Sequence, residues 1–284
     1  MSLSASCRLF GISRQAIYKR QKAHEQKGVV YSQIKAMVGD KRMSMPRLGT
    51  RKLYHILKAD FKANNIKIGR DGLFNLLKNA HMLISPMKSY TRTTWSKHWL
   101  HKHPNLAKTM IVNQAEQLWV SDITYIKTKT QNCYLSLVTD AYSRKIVGYY
   151  VSEDLKTEGM VQALKMAISD RVYNHPLVHH SDRGIQYCAE PYQQLLCKHE
   201  IKCSMTDGYD CYQNALAERI NGILKNEFLL YVPSDIDQLR TMVKQSISIY
   251  NDKRPHLSLN MKTPNQVHNE KSLTKNSIRD YCYL

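Results

Sequence analysis

The front part of the chain places its hydrophobic residues at helical spacing. Residues 3–18 contain a short apolar helix, a glycine turn at Gly11, and Ser13 in position to cap a second helix. Apolar side chains recur at helical spacing in 46–57 and again in 70–80. The first segment has a helix-turn-helix pattern, but helical hairpins with a glycine turn are common, so this pattern alone leaves DNA binding open.

From residue 118 onward the hydrophobic pattern is that of strands. Three consecutive β-rich runs, separated by polar turns, predict an antiparallel meander. Helices and short strands alternate after them, which predicts an α/β fold with a mixed sheet flanked by helices. The predicted strands are 118–127, 133–140, 145–151, 176–180 and 201–204, and the predicted helices are 157–172, 190–199, 213–228 and 236–250.

The net charge of +19 is concentrated in the front part of the chain. Residues 1–117 hold 22 Lys and Arg against 5 Asp and Glu, whereas residues 118–284 hold 20 against 18. This asymmetry predicts binding to a polyanion, because each neutralised phosphate releases counterions. The alternative is a basic surface that serves only solubility. The predicted DNA contacts in this part are Arg14, Lys19, Arg20 and Arg70.

The remaining composition excludes several classes of protein. The sequence has no run of 18 apolar residues, and its first residues do not show an apolar segment followed by a small-residue cleavage site. This pattern predicts an intracellular protein that does not enter a membrane. The seven cysteines form no C-x-x-C pair, which predicts reduced thiols. His98, His101 and His103 have spacing suited to a metal site, but no nearby Cys or carboxylate completes it, so a cationic linker along DNA is the favoured interpretation.

Two aspartates stand at positions that need an explanation. Asp122 lies in the middle of a predicted strand, where a carboxylate is costly to desolvate without a partner such as a cation. Asp182 follows a short predicted strand, and Gly184 permits a sharp exit from it. Because the carboxyl ends of strands commonly hold sites in α/β sheets, Asp182 is a second candidate ligand.

The third candidate is Glu218, on a predicted helix. Asn214, Glu218, Asn221 and Lys225 share one helical face, opposite an apolar stripe. That face is either solvated or presents a third oxygen ligand to the two aspartates. Carboxylates that converge repel one another unless divalent cations neutralise them, and oxygen ligands suit Mg²⁺ or Mn²⁺. A two-metal phosphoryl-transfer site is therefore predicted. Other carboxylates are interpreted as structural: Asp140, Asp207, Asp210 and Glu227.

Four phrases carry a resemblance to a known family. They read Trp-x-x-Asp-Ile-Thr-Tyr, His-Ser-Asp-Arg-Gly-x-Gln-Tyr, Asn-Ala-x-Ala-Glu-Arg-x-Asn-Gly-x-Leu-Lys and Tyr-Asn-x-x-Arg-Pro-His-x-x-Leu, and 59 and 35 positions separate the three carboxylates. Together they closely resemble bacterial DDE transposases of the IS-three insertion-sequence family, relatives of retroviral integrases. The resemblance extends from the first helices to about residue 268.

The resemblance implies a fold, a site and a reaction. It implies a ribonuclease H-like core in which Asp122, Asp182 and Glu218 hold two Mg²⁺ ions, for which Mn²⁺ can substitute. Water would cut the 3′ ends of the element, and each freed 3′-OH would attack another phosphodiester. Lys225 matches a basic residue that contacts end DNA in such enzymes, with an ordinary solvated lysine as the alternative. Asn214 and Asn221, on the same face, are expected to contact DNA as well.

The resemblance also implies partners. Double-stranded DNA is expected, both as terminal inverted repeats and as target, together with a homo-oligomer on that DNA at the nucleoid in the cytoplasm. An upstream-frame orfA-type protein, or a frameshift fusion with it, is a further expected partner. Two alternatives remain open: a non-catalytic DNA-binding relative, and a ribonuclease H-like nuclease without strand transfer. The predicted domains are a helix-turn-helix segment (1–27), a second helical DNA-binding domain (28–84), a basic linker (85–116), the integrase-like catalytic core (117–230) and a helical tail (231–284).

Overall fold

The computed structural model describes residues 3–85, 102–207 and 214–270. They fall into two compact units, one within Met1–Pro86 and one within Met87–Leu284. The helices are α1 (Leu3–Leu9), α2 (Arg14–Ser44), α3 (Thr50–Ala63), α4 (Arg70–Asn79), α5 (Thr157–Ser169), α6 (Ile185–Cys188), α7 (Glu190–Lys198), α8 (Ala215–Ile223), α9 (Ile236–Lys253) and α10 (Pro264–Asn269). The strands are β1 (Leu118–Lys127), β2 (Asn132–Asp140), β3 (Ile146–Ser152), β4 (Val178–Ser181) and β5 (Lys202–Met205).

The first unit begins with the predicted pair of helices. Gly11 has a φ of 63° in the turn between α1 and α2, a left-handed conformation that glycine adopts without steric cost. The Ser13 hydroxyl accepts a hydrogen bond from the third backbone N–H of α2, as predicted for a cap. Helix α2 then continues for 31 residues across the predicted domain boundary at residues 27 and 28. It continues because its second half buries Ile34 and Val38 in the core of this unit.

Helices α3 and α4 complete that core. The helical spacing predicted for both segments is confirmed, since each presents a row of buried leucines: Leu53 and Leu57 on α3, and Leu73 and Leu77 on α4. The first unit is thus a small all-helical unit. The proposed division of the chain into five domains stays a prediction.

The second unit is built on a five-stranded mixed sheet with the order β3-β2-β1-β4-β5. Strands β1, β2 and β3 form the predicted antiparallel meander, whereas β4 and β5 run parallel to β1. All five predicted strands are confirmed within two residues at each end. The mixed sheet with flanking helices is therefore the fold that the hydrophobic pattern predicts.

Helices cover both faces of this sheet. Helices α5 and α7 pack on one face through Leu164 and Leu196, and α8 and α9 pack on the other through Ile220 and Val243. Gly148 on β3 allows α5 to lie close, because a Cβ at this position would stand 2.1 Å from the backbone oxygen of Ala163. Both faces are therefore buried, which leaves the ends of the strands as the place for a site.

Several predictions concern residues that the structure does not describe. These are His98 and His101 of the predicted linker, Asp210, and the end of the predicted tail at 271–284. Within the described ranges, no helix has the length and apolar character needed to cross a membrane. The five cysteines in those ranges are free thiols, as predicted.

Candidate active site

The sheet brings Asp122, on β1, and Asp182, directly after β4, to equivalent positions along two neighbouring parallel strands. The pairing of β1 with β4 ends where Val120 faces His180. Asp122 and Asp182 each lie two residues beyond that last pair, so they share the same side of the pleat. Both carboxylates are partly buried at the edge where the two strands separate.

Hydrogen bonds fix the orientation of both carboxylates. One oxygen of Asp122 accepts from the backbone N–H of Ile123 at 2.9 Å, and the other accepts from the side-chain amide of Asn221 at 2.8 Å. Asp182 accepts from the backbone N–H of Gly184 at 3.0 Å. Each oxygen of Asp122 therefore has one fixed donor and keeps lone-pair capacity for a further partner.

Helix α8 carries Glu218 to the same region. Asn214, just before α8, donates from its amide to the backbone oxygen of Ser121 at 3.0 Å, and Asn221 donates to Asp122. These amides join the helix to β1 on either side of Glu218, which is itself exposed. Asn214 and Asn221 are each only 4% exposed. Both amides bond to β1 because the helix turns this part of its polar face toward that strand, and the expected role of Asn214 and Asn221 as DNA contacts stays a prediction.

The three carboxylates interact electrostatically. Burial raises the pKa of Asp122 to about 7, with further raising by the charges of Asp182 and Glu218 and an opposing effect of Asn221. Burial and the charge of Asp182 also raise the pKa of Glu218. Within the described ranges, no three His, Cys, Asp or Glu side chains converge closely enough to enclose one ion. The triad is thus an open group of mutually repelling oxygens.

Lys225 brings positive charge to this group. Its Nζ lies 4.6 Å from the centre of the Tyr125 ring on β1. Burial lowers the pKa of Lys225, and the charge of Asp122 partly offsets that effect. The helix predicted over 213–228 is confirmed from Ala215 onward, but its last turn, Leu224–Phe228, which contains Lys225, is a π-helix and not an α-helix.

A buried polar network lies behind Asp122 and was missed by the sequence interpretation. The Nε2 atom of His179 lies 2.7 Å from the hydroxyl of Ser121 and 2.9 Å from that of Tyr192. Burial is the main cause that lowers the pKa of His179 to about 3, and the charge of the neighbouring His180 lowers it further. The His179 imidazole is therefore neutral at physiological pH. The network fixes the residue next to Asp122. The sequence signal that could have indicated this network is the presence of two polar residues, Ser121 and His179, within otherwise apolar strand sequences.

Within the described ranges, the carboxylates interpreted as structural each have a partner. Asp140 accepts hydrogen bonds from the backbone N–H groups of Glu116 and Ser143. The other two form ion pairs: Asp207 with Lys108 at 3.6 Å, and Glu227 with Arg254 at 2.6 Å.

The basic residues predicted to contact DNA in the first unit lie on its surface. Arg14, Lys19 and Arg20 are exposed on the first turns of α2. Arg70 is also exposed, and its Nε donates to the carboxylate of Asp71 at 2.9 Å. Their role as DNA contacts stays a prediction.

Comparison with known proteins defines the class. The sequence matches the Integrase core domain family over residues 112–211 and again over 199–264. A chain in the cryo-EM structure of the simian T-cell lymphotropic virus intasome, in complex with PP2A regulatory subunit B56 gamma, has a TM-score of 0.51 at 20% identity. The match covers 80% of this chain and 77% of that one and shows a shared fold. The second unit is thus an integrase-type catalytic core fold.

Two relatives define the family more closely. The insertion element IS600 uncharacterized 31 kDa protein of Shigella sonnei is 33% identical over 263 residues, covering 91% of this chain and 95% of that protein. The putative transposase InsK for insertion sequence element IS150 of Escherichia coli is 33% identical over 170 residues, covering 59% of this chain and 60% of InsK. The chain belongs to the IS-three family of insertion-sequence transposases.

Proposed function

We propose that this transposase is a metal-dependent polynucleotidyl transferase that cuts the ends of its insertion sequence and joins them to other DNA. The observation that carries the proposal is the position of the three carboxylates. Asp122 and Asp182 each lie two residues beyond the last residue pair between β1 and β4, and Glu218 lies on the adjacent helix α8. Three interacting carboxylates in one place, two of them with a raised pKa, favour a bound cation.

The donor set fits Mg²⁺ or Mn²⁺, with Asp122, Asp182 and Glu218 as the ligands. Mg²⁺ usually keeps several waters and binds one or two carboxylates together with substrate phosphates, so an open triad suits it better than a closed cage. When bound, two such ions supply activation of the attacking oxygen and stabilisation of the leaving oxygen at phosphorus. Asn221 holds the Asp122 carboxylate in a fixed orientation for this purpose.

The proposed reaction has two displacements at phosphorus. In the first, a water oxygen forms a bond to the phosphorus at the end of the element, and the bond to the departing 3′ oxygen breaks, which frees a 3′-OH. In the second, that 3′-OH attacks a target phosphodiester, and one new P–O bond replaces the one that breaks. The ammonium of Lys225 next to the triad would bind a phosphate of the end DNA.

The first test is a strand-transfer assay with Mg²⁺ and duplexes that carry the element's own terminal inverted repeats. Glu218→Gln keeps shape and hydrogen bonding but removes the ligand charge, so this variant should bind end DNA and fail to cut or join it. The rate should fall on the order of 10³-fold, since metal-ion stabilisation of the transition state is worth several kcal/mol. Glu153→Gln, at an exposed glutamate, is the matched control and should remain active.

The other outcomes of this assay discriminate among the alternatives. Full activity of Glu218→Gln would refute the role of Glu218. Cutting without joining by the wild type would favour a nuclease. If wild type binds and neither cuts nor joins, the upstream-frame protein should be added, because we also propose it as a partner. If the protein still neither cuts nor joins the DNA after this addition, a non-catalytic DNA-binding protein is favoured.

Two further proposals concern DNA and assembly. Arg14, Lys19 and Arg20 are proposed to bind phosphates. Replacing all three by alanine should weaken DNA binding and make the affinity depend less steeply on salt concentration, as measured by fluorescence anisotropy.

Transposition must bring two ends together, so a dimer or larger assembly on nucleoid DNA is proposed. A solution mass of one protein with one bound end, under conditions that support joining, would contradict that assembly.

A further inference from the structure

The Tyr-Asn-x-x-Arg-Pro-His phrase contains an arginine that the proposed reaction does not use. The guanidinium of Arg254, which follows α9, donates to the two carboxylate oxygens of Glu227 at 2.6 and 2.9 Å. The Arg254 side chain is 3% exposed and that of Glu227 is 23% exposed. A charge-assisted pair with two parallel bonds is strong and fixes geometry, because both planar groups must align.

Neighbouring aromatic side chains hold Arg254 in place from the other side. Its third nitrogen, Nη1, lies 3.0 Å from Nε2 of His256, and its guanidinium carbon lies 5.8 Å from the centre of the Tyr250 ring. Tyr250 in turn donates its hydroxyl to the backbone oxygen of Arg144, just before β3, at 2.9 Å. Arg254 is therefore connected through Tyr250 to the backbone just before β3.

Glu227 belongs to the π-helix Leu224–Phe228. This turn is closed by the backbone N–H of Leu229, which donates to the oxygen of Leu224 at 2.9 Å. π-Helices are rare and occur mostly as single turns within α-helices, so tertiary contacts have to hold them. The ion pair with Arg254 is such a contact.

Lys225 lies in the same turn, two residues before Glu227. Its ammonium reaches the ring of Tyr125 on β1, the strand that carries Asp122. A one-residue change of register in a helix rotates the side chains by about 100°. Relaxation of the π-helix into a regular α-helix would therefore redirect side chains in this turn and move the Lys225 ammonium away from the triad.

We propose that Arg254 is a positioning residue for DNA-end binding: its two bonds to Glu227 hold the π-helix and so present Lys225 beside the carboxylate triad. The segment after α9 thereby takes part in binding the end of the element. This inference rests on the proposed contact between Lys225 and end DNA.

The test is a double-mutant cycle on the full chain, with a terminal-repeat duplex as the probe in EDTA. Glu227→Gln removes the charge of the partner, and Arg254→Lys keeps the positive charge but lacks the planar fork. Each variant, like Lys225→Ala, should weaken end binding about tenfold and lower the salt slope by about 0.9, the value for one lost phosphate contact. In the Lys225→Ala background, neither Glu227→Gln nor Arg254→Lys should weaken binding further.

Urea denaturation of each variant separates positioning from loss of fold. Arg240→Gln is the matched control, because it breaks an exposed ion pair with Asp237 on α9 and should leave binding unchanged. Additive losses in the double variants would show that Arg254 acts on the fold in general and would overturn the proposal. If Lys225→Ala alone leaves affinity and salt slope unchanged, the inference and the Lys225 contact both fail, whereas catalysis by the triad is judged separately by Glu218→Gln.

Discussion

Asp122→Asn should stabilise the metal-free protein at pH 8 while it abolishes cutting and joining. The folded pKa of Asp122 is raised from 3.8 to about 7. Between these values the folded state binds more protons than the unfolded state, so the free energy of unfolding falls as pH rises through this window. A shift of about three pKa units corresponds to about 4 kcal/mol as an upper bound, and asparagine removes that penalty.

Urea denaturation in EDTA at pH 8 and pH 4 checks the direction in which pH changes the free energy of unfolding. The gain from Asp122→Asn should be largest at pH 8 and nearly absent at pH 4, where the wild-type carboxyl is protonated in the folded state. Asp170→Asn, at an exposed aspartate at the end of α5, is the matched control and should show little change at either pH. Equal effects of the two variants at both pH values would contradict the argument. Excess Mg²⁺ should reduce the gain, because the cation stabilises the wild-type folded state.

The predicted strands and candidate carboxylates follow from local patterns. Strand β1 has the predicted bounds, 118–127, because β-branched and aromatic residues with polar turns mark its length. Asp122 was predicted as a ligand because a carboxylate within an apolar strand needs a partner, and Asp182 because the carboxyl ends of strands commonly hold sites in α/β sheets. Such signals depend on only a few neighbouring residues, so they are visible without knowledge of the packing.

The roles of the amides depend on packing that local patterns do not contain. Asn214, Glu218 and Asn221 were predicted to share one helical face, and the two asparagines were expected to meet DNA. In the structure β1 lies against this face, and the two asparagines satisfy its backbone and Asp122. The π-helix was missed for the same reason, since the contact at Glu227 comes from Arg254, after the next helix.

The other network that sequence patterns could not reveal joins residues far apart in the chain. Glu116, Asp140 and His268 come from the segment before β1, the end of β2 and α10, and are 1%, 0% and 0% exposed. Nε2 of His268 lies 3.3 Å from a Glu116 oxygen, and Nδ1 lies 3.0 Å from the hydroxyl of Ser143. The network therefore attaches α10 to the sheet.

His268→Ala should lower the free energy of unfolding by about 3–5 kcal/mol, the usual effect of removing one partner from a buried ion pair. Burial by itself lowers the pKa of His268, but its interactions with the nearby carboxylates of Asp140 and Glu116 outweigh burial and raise the pKa overall. This contribution to stability is full below the ordinary pKa of 6.5 and is lost as pH rises through the higher folded pKa. The destabilisation by His268→Ala should therefore be larger at pH 6 than at pH 9, as measured by urea denaturation.

Glu116 responds to pH with the opposite sign. Burial favours its neutral form, but the nearby imidazole of His268 and hydrogen bonds from the backbone N–H groups of Tyr173 and Val172 outweigh burial and lower its pKa. Its contribution is present above the ordinary value of 4.5 and is lost as pH falls through the lower folded pKa. The network should thus stabilise the fold most between these two transitions. His199→Ala, at an exposed histidine at the end of α7, is the control for His268→Ala. If both variants lose the same free energy of unfolding at pH 6, a role for the buried charges is contradicted.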